Sequence, residues 1–236
     1  MRVADCNWMQ LERYLERDDR IVLPLGSVEQ HAYLSLAVDS ILAERVSVEA
    51  AEPLGVPVLP ALAYGLTPYF AAYPGSPTLR VETYVAVIGE LLDSLYEQGF
   101  RRFLLVNGHG GNSAGRGAGE EFEKSRPGAN VVWHDWWRAP RTWAAVQEID
   151  MESSHASWLE NFPWTRLAGI VLPSGRKPMA DVANLGELDP IAVRELLGDG
   201  SFGGLYERPD EDVLRVWHAG VDEVRHMLQT GWEDNG

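Results

Sequence analysis

Apolar positions along the chain alternate between helical spacing and unbroken runs, and the switches mark the elements. Trp8, Met9, Leu11, Tyr14 and Leu15 recur at helical spacing and predict a short first helix. Residues 21–25 (IVLPL) form an apolar run closed by Gly26, the mark of a buried strand. A helix is expected from near Val38, with Ile41, Leu42 and Val46 inward. Residues 56–62 (VPVLPAL) read as a second strand, followed by a Gly- and Pro-rich loop over 64–77. Val85, Ile88, Leu92 and Leu95 share one face of a helix predicted from Val81 to about Gln98, which Gly99 ends. Residues 101–107 (RRFLLVN) and 129–134 (ANVVWH) are the third and fourth strands, with a helix over 113–125 between them. Beyond Pro173 the pattern weakens, and a turn-rich stretch at 198–204 precedes a final amphipathic helix over about 211–229. Strand and helix alternate, so the expected fold is α/β, a mainly parallel sheet with helices on both faces. No repeat, low-complexity tract or long linker interrupts it, and one domain over 1–236 is expected.

Composition narrows the function classes. Hydrophobic residues at 45% and charged residues at 23% of 236 suit a globular enzyme with a well-buried core. A formal net charge of −15 argues against nucleic acid and against an anionic membrane surface as partners. A single cysteine, Cys6, excludes an intrachain disulfide and a thiolate zinc site. Charges interrupt every apolar run near the start, so no signal peptide is expected, and no segment approaches the roughly 18 apolar residues a membrane span needs. The expected compartment is the cytoplasm.

Within that frame, chemistry gathers just past the predicted strands, where sites form in open α/β sheets. Glu29 and His31 are two apart and point to one side of extended backbone. With Asp39 they make half of a divalent-metal site. His109 follows the third strand in NGHGGN (107–112), where Gly108, Gly110 and Gly111 leave the backbone free for close approach and Asn107 and Asn112 can tie the loop. Residues 152–161 (ESSHASWLEN) add His155 and Glu160. Ser153 or Ser154 is placed to cap a helix with His155 in its first turn. On that helix a spacing of five turns the two side chains about 140° apart, so one would bind metal while the other faces substrate. Glu29, His31, Asp39, His109 and Glu160 together offer two imidazoles and three carboxylates, a donor set suited to Zn²⁺, Mn²⁺ or Fe²⁺. Two ions per subunit are expected, with Asp39 as the bridge. Such a pair acidifies a shared water and polarises a carbonyl, and an unligated His155 would protonate a leaving nitrogen.

The stretches LPLGSVEQH with the following Asp39, NGHGGN, and HASWLEN resemble the creatininase (creatinine amidohydrolase) family. That family's usual pattern reads roughly GSxEQHGPHLPLxxD, then NGHGGN, then HAGxxET, and the match covers about the first two-thirds of the chain. The resemblance implies a three-layer α/β/α fold, a two-metal centre, often a hexamer built as a trimer of dimers, and hydrolysis of a C–N bond in a small cyclic or linear amide. By the match, Glu29, His31, Asp39 and His109 fall on family metal ligands, Glu160 on the acid of the third motif, and His155 on a catalytic histidine. The chain also departs from the pattern. Its first motif reads EQHAYLSLAVD, one residue shorter, without the second His and with Ala32 and Ser35 for a Gly and a Pro. Creatininase proper carries a glutamate where this chain has Gly111, so one metal is short of a ligand unless Glu160 supplies it. Creatinine is therefore not the expected substrate. Asn161 stands where Thr is usual.

Trp133, Trp136, Trp137, Trp143 and Trp158 are candidates to stack on a flat or cationic substrate, and equally for core or interface packing. Tyr64, Tyr69, Phe70 and Tyr73 are candidates for a lid, and Arg176 and Lys177 for holding an anionic group or simply being solvated. The expected function is metal-dependent hydrolysis of an amide, lactam or formamide C–N bond in a small molecule through a metal-activated water, with His155 and Glu160 catalytic. Hydrolytic ring-opening of an oxidised cyclic polyol by the same centre is the alternative. A non-catalytic metal-bearing assembly or ligand-binding subunit is a third reading.

Overall fold

The computed structural model describes residues 1–232, so the last four residues of the domain expected over 1–236 lie outside the described residues. Three parallel strands, β1 (Arg20–Leu25), β2 (Arg102–Asn107) and β3 (Asn130–Asp135), form the central sheet in that order. Leu25 pairs with Asn107 and Asn107 with Asp135, so the three strands end level at their carboxyl edge.

The stretch expected as a strand at 56–62 reduces to three isolated parallel bridges, Val58 to both Val22 and Arg2 and Leu62 to Leu25. Leu59 N–H donates to Val22 (3.0 Å) and Leu62 N–H to Pro24 (2.9 Å), so the segment does flank β1. Pro57 and Pro60 have no N–H to give, which interrupts the ladder.

The helices are α1 (Trp8–Leu15), α2 (Val38–Ala51), α3 (Val81–Glu97), α4 (Ala114–Ser125), α5 (Pro140–Ile149), α6 (Pro190–Leu197) and α7 (Asp210–Thr230). The pattern of apolar positions missed α5 and α6. Both open on proline, and α6 is capped by Asp189, whose carboxylate accepts from Ile191 and Ala192 N–H, a legible start signal. A two-residue antiparallel pair, β4 (Arg176–Lys177) with β5 (Gly204–Leu205), ties the later loops together.

Side-chain alternation splits the core into two sides of the sheet. Val22, Leu104 and Val106 pack with Leu42 and Val46 of α2 and Val216, Trp217 and Val224 of α7. Ile21, Leu23, Leu25, Phe103 and Leu105 pack with Tyr84, Ile88 and Leu92 of α3 and Phe122 of α4. The result is the three-layer α/β/α arrangement. Two inward assignments shift: Tyr84 is buried in place of Val85, and Ile41 is half-exposed. No helix among the described residues is long and apolar enough to cross a membrane.

The order of the strands places the site. From β1 the chain crosses to the 58–62 bridge on one side, then returns through α3 to β2 on the other. The direction therefore reverses between β1 and β2, and the crevice at their carboxyl ends is where an open sheet leaves room for ligands.

Candidate metal centre

Into that crevice β1 sends Glu29 and His31, β2 sends His109, and the first turn of α2 supplies Asp39. Gly108 brings β2 against α2, since a Cβ there would lie 2.5 Å from the Asp39 carbonyl oxygen. Glu29, His31, Asp39 and His109 are all at most 3% exposed.

With His155 and Glu160 their donor atoms form three groups: Glu29, His31 and His155 make one, and the other two share the Asp39 carboxylate. Of those two, Glu29, Asp39 and His109 make the first, and His31, Asp39 and Glu160 the second. His109 Nδ1 lies 3.2 Å from Glu29 Oε1 and 3.1 Å from Asp39 Oδ2. His31 Nε2 lies 3.2 Å from Asp39 Oδ1 and 3.7 Å from Glu160 Oε2. Asp39 thus turns one oxygen toward His31 and the other toward His109.

Main-chain carbonyls fix both rings. His31 Nδ1–H donates to the Glu29 carbonyl (3.1 Å) and His109 Nε2–H to the Leu66 carbonyl (2.9 Å). A carbonyl only accepts, so when the rings are neutral the nitrogens facing the carboxylates are the ones that hold a lone pair for a cation. Glu29 Oε2, His31 Nε2 and Asp39 Oδ2 are buried without a hydrogen-bond partner. Orphaned acceptors packed this closely are costly unless a cation stands among them, and the mixed imidazole and carboxylate set suits Zn²⁺, Mn²⁺ or Fe²⁺.

The electrostatics reflect the same crowding. Burial opposes charge on His31, but Asp39 and Glu160 outweigh it and raise the imidazole to about 10. Glu29 and Asp39 likewise raise His109 well above its ordinary value against the pull of burial. Burial alone would raise Asp39, yet His31 and His109 draw it below the usual carboxylate range. Burial raises Glu160 to about 7 despite His31.

Residues 152–161 do not form the expected helix. His155 sits in a turn and only a 3₁₀ turn, Trp158–Glu160, follows. Ala156 takes φ 57°, which turns its N–H onto Glu160 Oε2 (2.6 Å). The turn reverses the predicted divergence. His155 Nδ1 lies 3.7 Å from Glu29 Oε1 and 4.0 Å from Glu160 Oε2, so both side chains face the centre.

A cleft of about 280 Å³ opens over the cluster. Tyr69, Phe70, Trp137, Trp143, Leu159 and Phe202 wall it. Of the aromatic candidates, Trp136 and Trp158 are instead buried in the core and Tyr64 is exposed. Arg176 is engaged by Asp150 and Glu152, and Lys177 by Asp199 and the Leu197 and Ser201 carbonyls, so neither is free to hold an anion. A roomier groove of about 550 Å³ along α2 and Pro60 contains none of the cluster residues and no converging donors.

A family model described as "Creatininase: Creatinine amidohydrolase" matches residues 4–163. The chain belongs to the creatininase family. It is 31% identical over 118 residues to the creatinine amidohydrolase of Pseudomonas putida, covering 47% of this chain and 45% of that protein. It is 29% identical over 103 residues to the 3-dehydro-scyllo-inosose hydrolase of Thermotoga maritima, covering 43% and 33%. The matched stretch spans less than half the length of these curated relatives. A crystal structure of creatinine amidohydrolase superposes with a TM-score of 0.82 at 21% identity over 99% of this chain and 98% of that one. A manganese form of creatininase gives 0.81 at 20% identity, over 98% of both chains. At such identity the superpositions show the shared fold.

Family membership puts the departures in a structural light. Ala32 has φ 51°, a left-handed backbone that explains why the family pattern has glycine there. At Gly111 a Cβ would lie 2.0 Å from the Leu66 oxygen and 2.5 Å from His109 Nε2, so the 65–67 loop fills the room a glutamate would need. Glu160 groups with His31 and Asp39 and not with His109, so each of the two groups that share Asp39 has three protein donors. Leu66, Phe202, Leu159 and Gln30 went unseen in the sequence. Only the Gly-rich turn around Phe202 carried any mark.

Proposed function

We propose that this chain is a metal-dependent hydrolase that cleaves the C–N bond of an amide, lactam or formamide in a small molecule. The observation that carries the reading is the pair of donor groups sharing Asp39, with orphaned acceptor atoms, at the floor of an aromatic-walled cleft. Glu29, Asp39 and His109 would hold one divalent cation and His31, Asp39 and Glu160 a second. Such cations supply Lewis acidity toward a carbonyl and acidify a water for attack.

The chain's own part is to place and move protons. His155 Nε2 meets both the Gln30 carbonyl (3.0 Å) and the Gln30 side-chain amide (2.9 Å). The carbonyl takes a proton and the amide gives one, so the ring is satisfied with its proton on either nitrogen. With the proton on Nε2, donated to the Gln30 carbonyl, Nδ1, aimed at Glu29 and Glu160, is free to accept a proton and pass it to a departing nitrogen. Phe70 and Phe202 pack on the His155 ring (centroids 5.0 and 4.9 Å) and keep water from it. Ala156 N–H anchors Glu160, the second residue assigned a catalytic role.

Metal analysis of the purified protein is the direct test, with one to two equivalents of Zn, Mn or Fe expected. His109→Ala should lose most of it, and full retention would sink the model. A second reading, ring-opening of an oxidised cyclic polyol, is favoured by the inosose hydrolase relative. A substrate panel with mass detection separates the two, since only amide cleavage frees ammonia or an amine. Bound metal with no turnover on any panel would favour the non-catalytic reading. On the family pattern the chain forms a homo-oligomer, a hexamer by resemblance, which light scattering would register.

A further inference from the structure

We propose that Asp135, at the carboxyl end of β3, is a positioning residue that holds His109 in its cation-binding orientation through the amide of Asn107. The inference rests on the reading of Glu29, Asp39 and His109 as cation ligands.

The connection is continuous. Asp135 is buried, and its Oδ1 accepts from Asn107 Nδ2 (2.8 Å) and Trp133 Nε1 (2.8 Å). Its Oδ2 accepts from Arg116 (3.1 Å) and Arg138 Nε (3.0 Å). Asn107 spends its second N–H on the His109 carbonyl (2.8 Å), while its Oδ1 accepts from His109 N–H (3.2 Å) and Asn112 Nδ2 (3.2 Å). Asn112 also donates to the Gly26 carbonyl (3.0 Å) and accepts from Leu66 N–H (3.1 Å). The Leu66 carbonyl closes the circuit on His109 Nε2–H. His109 is therefore gripped at its N–H, its carbonyl and its ring, and every grip depends on the Asn107 and Asn112 amides.

Asp135 supplies what that circuit cannot supply for itself. Asn107 Nδ2 has two protons to give, and among the described residues it gives one to the His109 carbonyl and the other, toward β3, to the Asp135 carboxylate. Remove it and Asn107 keeps a buried donor with no partner, which favours rotation of the amide away from His109. The level ending of β2 and β3 makes the contact possible, because Asn107 and Asp135 are register partners. The two arginines are half-exposed or more, so they are free to swing into water.

That difference between the two oxygens designs the experiment. Asp135→Ala removes the acceptor, whereas Asp135→Asn keeps one oxygen for Asn107 and gives up the arginine pairs. Metal-free protein is titrated with Co²⁺, followed by its visible absorption, with thermal unfolding as the fold control. Asp135→Ala should weaken one of the two Co²⁺ equivalents by about 10- to 100-fold, the usual effect of losing a partner behind a ligand. Asp135→Asn should stay within about threefold of wild type. Wild-type affinity in Asp135→Ala overturns the proposal. So does equal loss in both variants, which would mean that the arginine pairs matter instead. If Asp135→Ala does not fold, Asn107→Ala takes its place with the ion pairs intact, and wild-type affinity there is equally fatal. Wild-type protein that binds no Co²⁺ would remove the underlying cation reading, an outcome distinct from an unaffected Asp135→Ala.

Discussion

Gly111→Ala is the sharpest probe of how this centre is built. Gly111 does not use left-handed backbone, so space alone limits an alanine there. The added Cβ would sit 2.0 Å from the Leu66 oxygen and 2.5 Å from His109 Nε2. Ordinary contact is about 3.5 Å, so the carbonyl must retreat by more than an ångström and release the His109 ring. Overpacking costs about 1–3 kcal/mol. Leaving a buried N–H and C=O without partners costs about another 1–3 kcal/mol. The variant should therefore lose about 2–6 kcal/mol, or roughly 5–20 °C in Tm for a chain of this size. Its affinity for Co²⁺ should also fall by about tenfold or more as the ring loosens. Gly110→Ala is the control, since nothing lies within 4 Å of its Cβ. Urea unfolding and Co²⁺ titration of the three proteins give both readings. A Gly111→Ala protein with the wild-type midpoint and wild-type affinity refutes the reasoning.

Ala32→Gly should stabilise by about 0.5–1 kcal/mol, because relief of the left-handed backbone at φ 51° exceeds the added chain entropy. An unchanged or lower urea midpoint would count against strain there. His134 is buried, and burial depresses its imidazole despite Glu223 and Asp135. The unfolded chain then takes up a proton below about pH 6.5 that the fold refuses, so stability is full above that pH and falls below it. His134→Gln should flatten this limb of the stability–pH curve, and identical curves would exclude His134 as a source. Mn²⁺ or Zn²⁺ at about 100 times Kd should add about 2.7 kcal/mol, and chelator should abolish the gain. A Tm indifferent to both would argue against the cation site.

The chain's own order of residues determined most of the scaffold and the donor set. Apolar runs at 21–25 and 103–106 need burial on two faces, which a covered parallel sheet provides. Polar residues just past such strands cannot enter the core, so Glu29, His31 and His109 had to meet at its edge. Asp39, ten residues after Glu29, was readable as a partner because a helix had to begin close by.

Tertiary structure decided the rest. Local spacing put His155 and Glu160 on diverging sides of a helix, but the left-handed Ala156 turn brings both to the centre. Helical geometry is a local default, and packing against Phe70 and Phe202 overrode it. The Leu66 carbonyl, which orients His109, and Asp135, which reaches it through Asn107, lie 43 and 26 residues from it in the chain. Main-chain oxygens leave no mark in a sequence, and the register that sets Asp135 beside Asn107 exists only once two strands have paired. Residue identities chose the donors, and long-range contacts chose which atom of each one faces the centre.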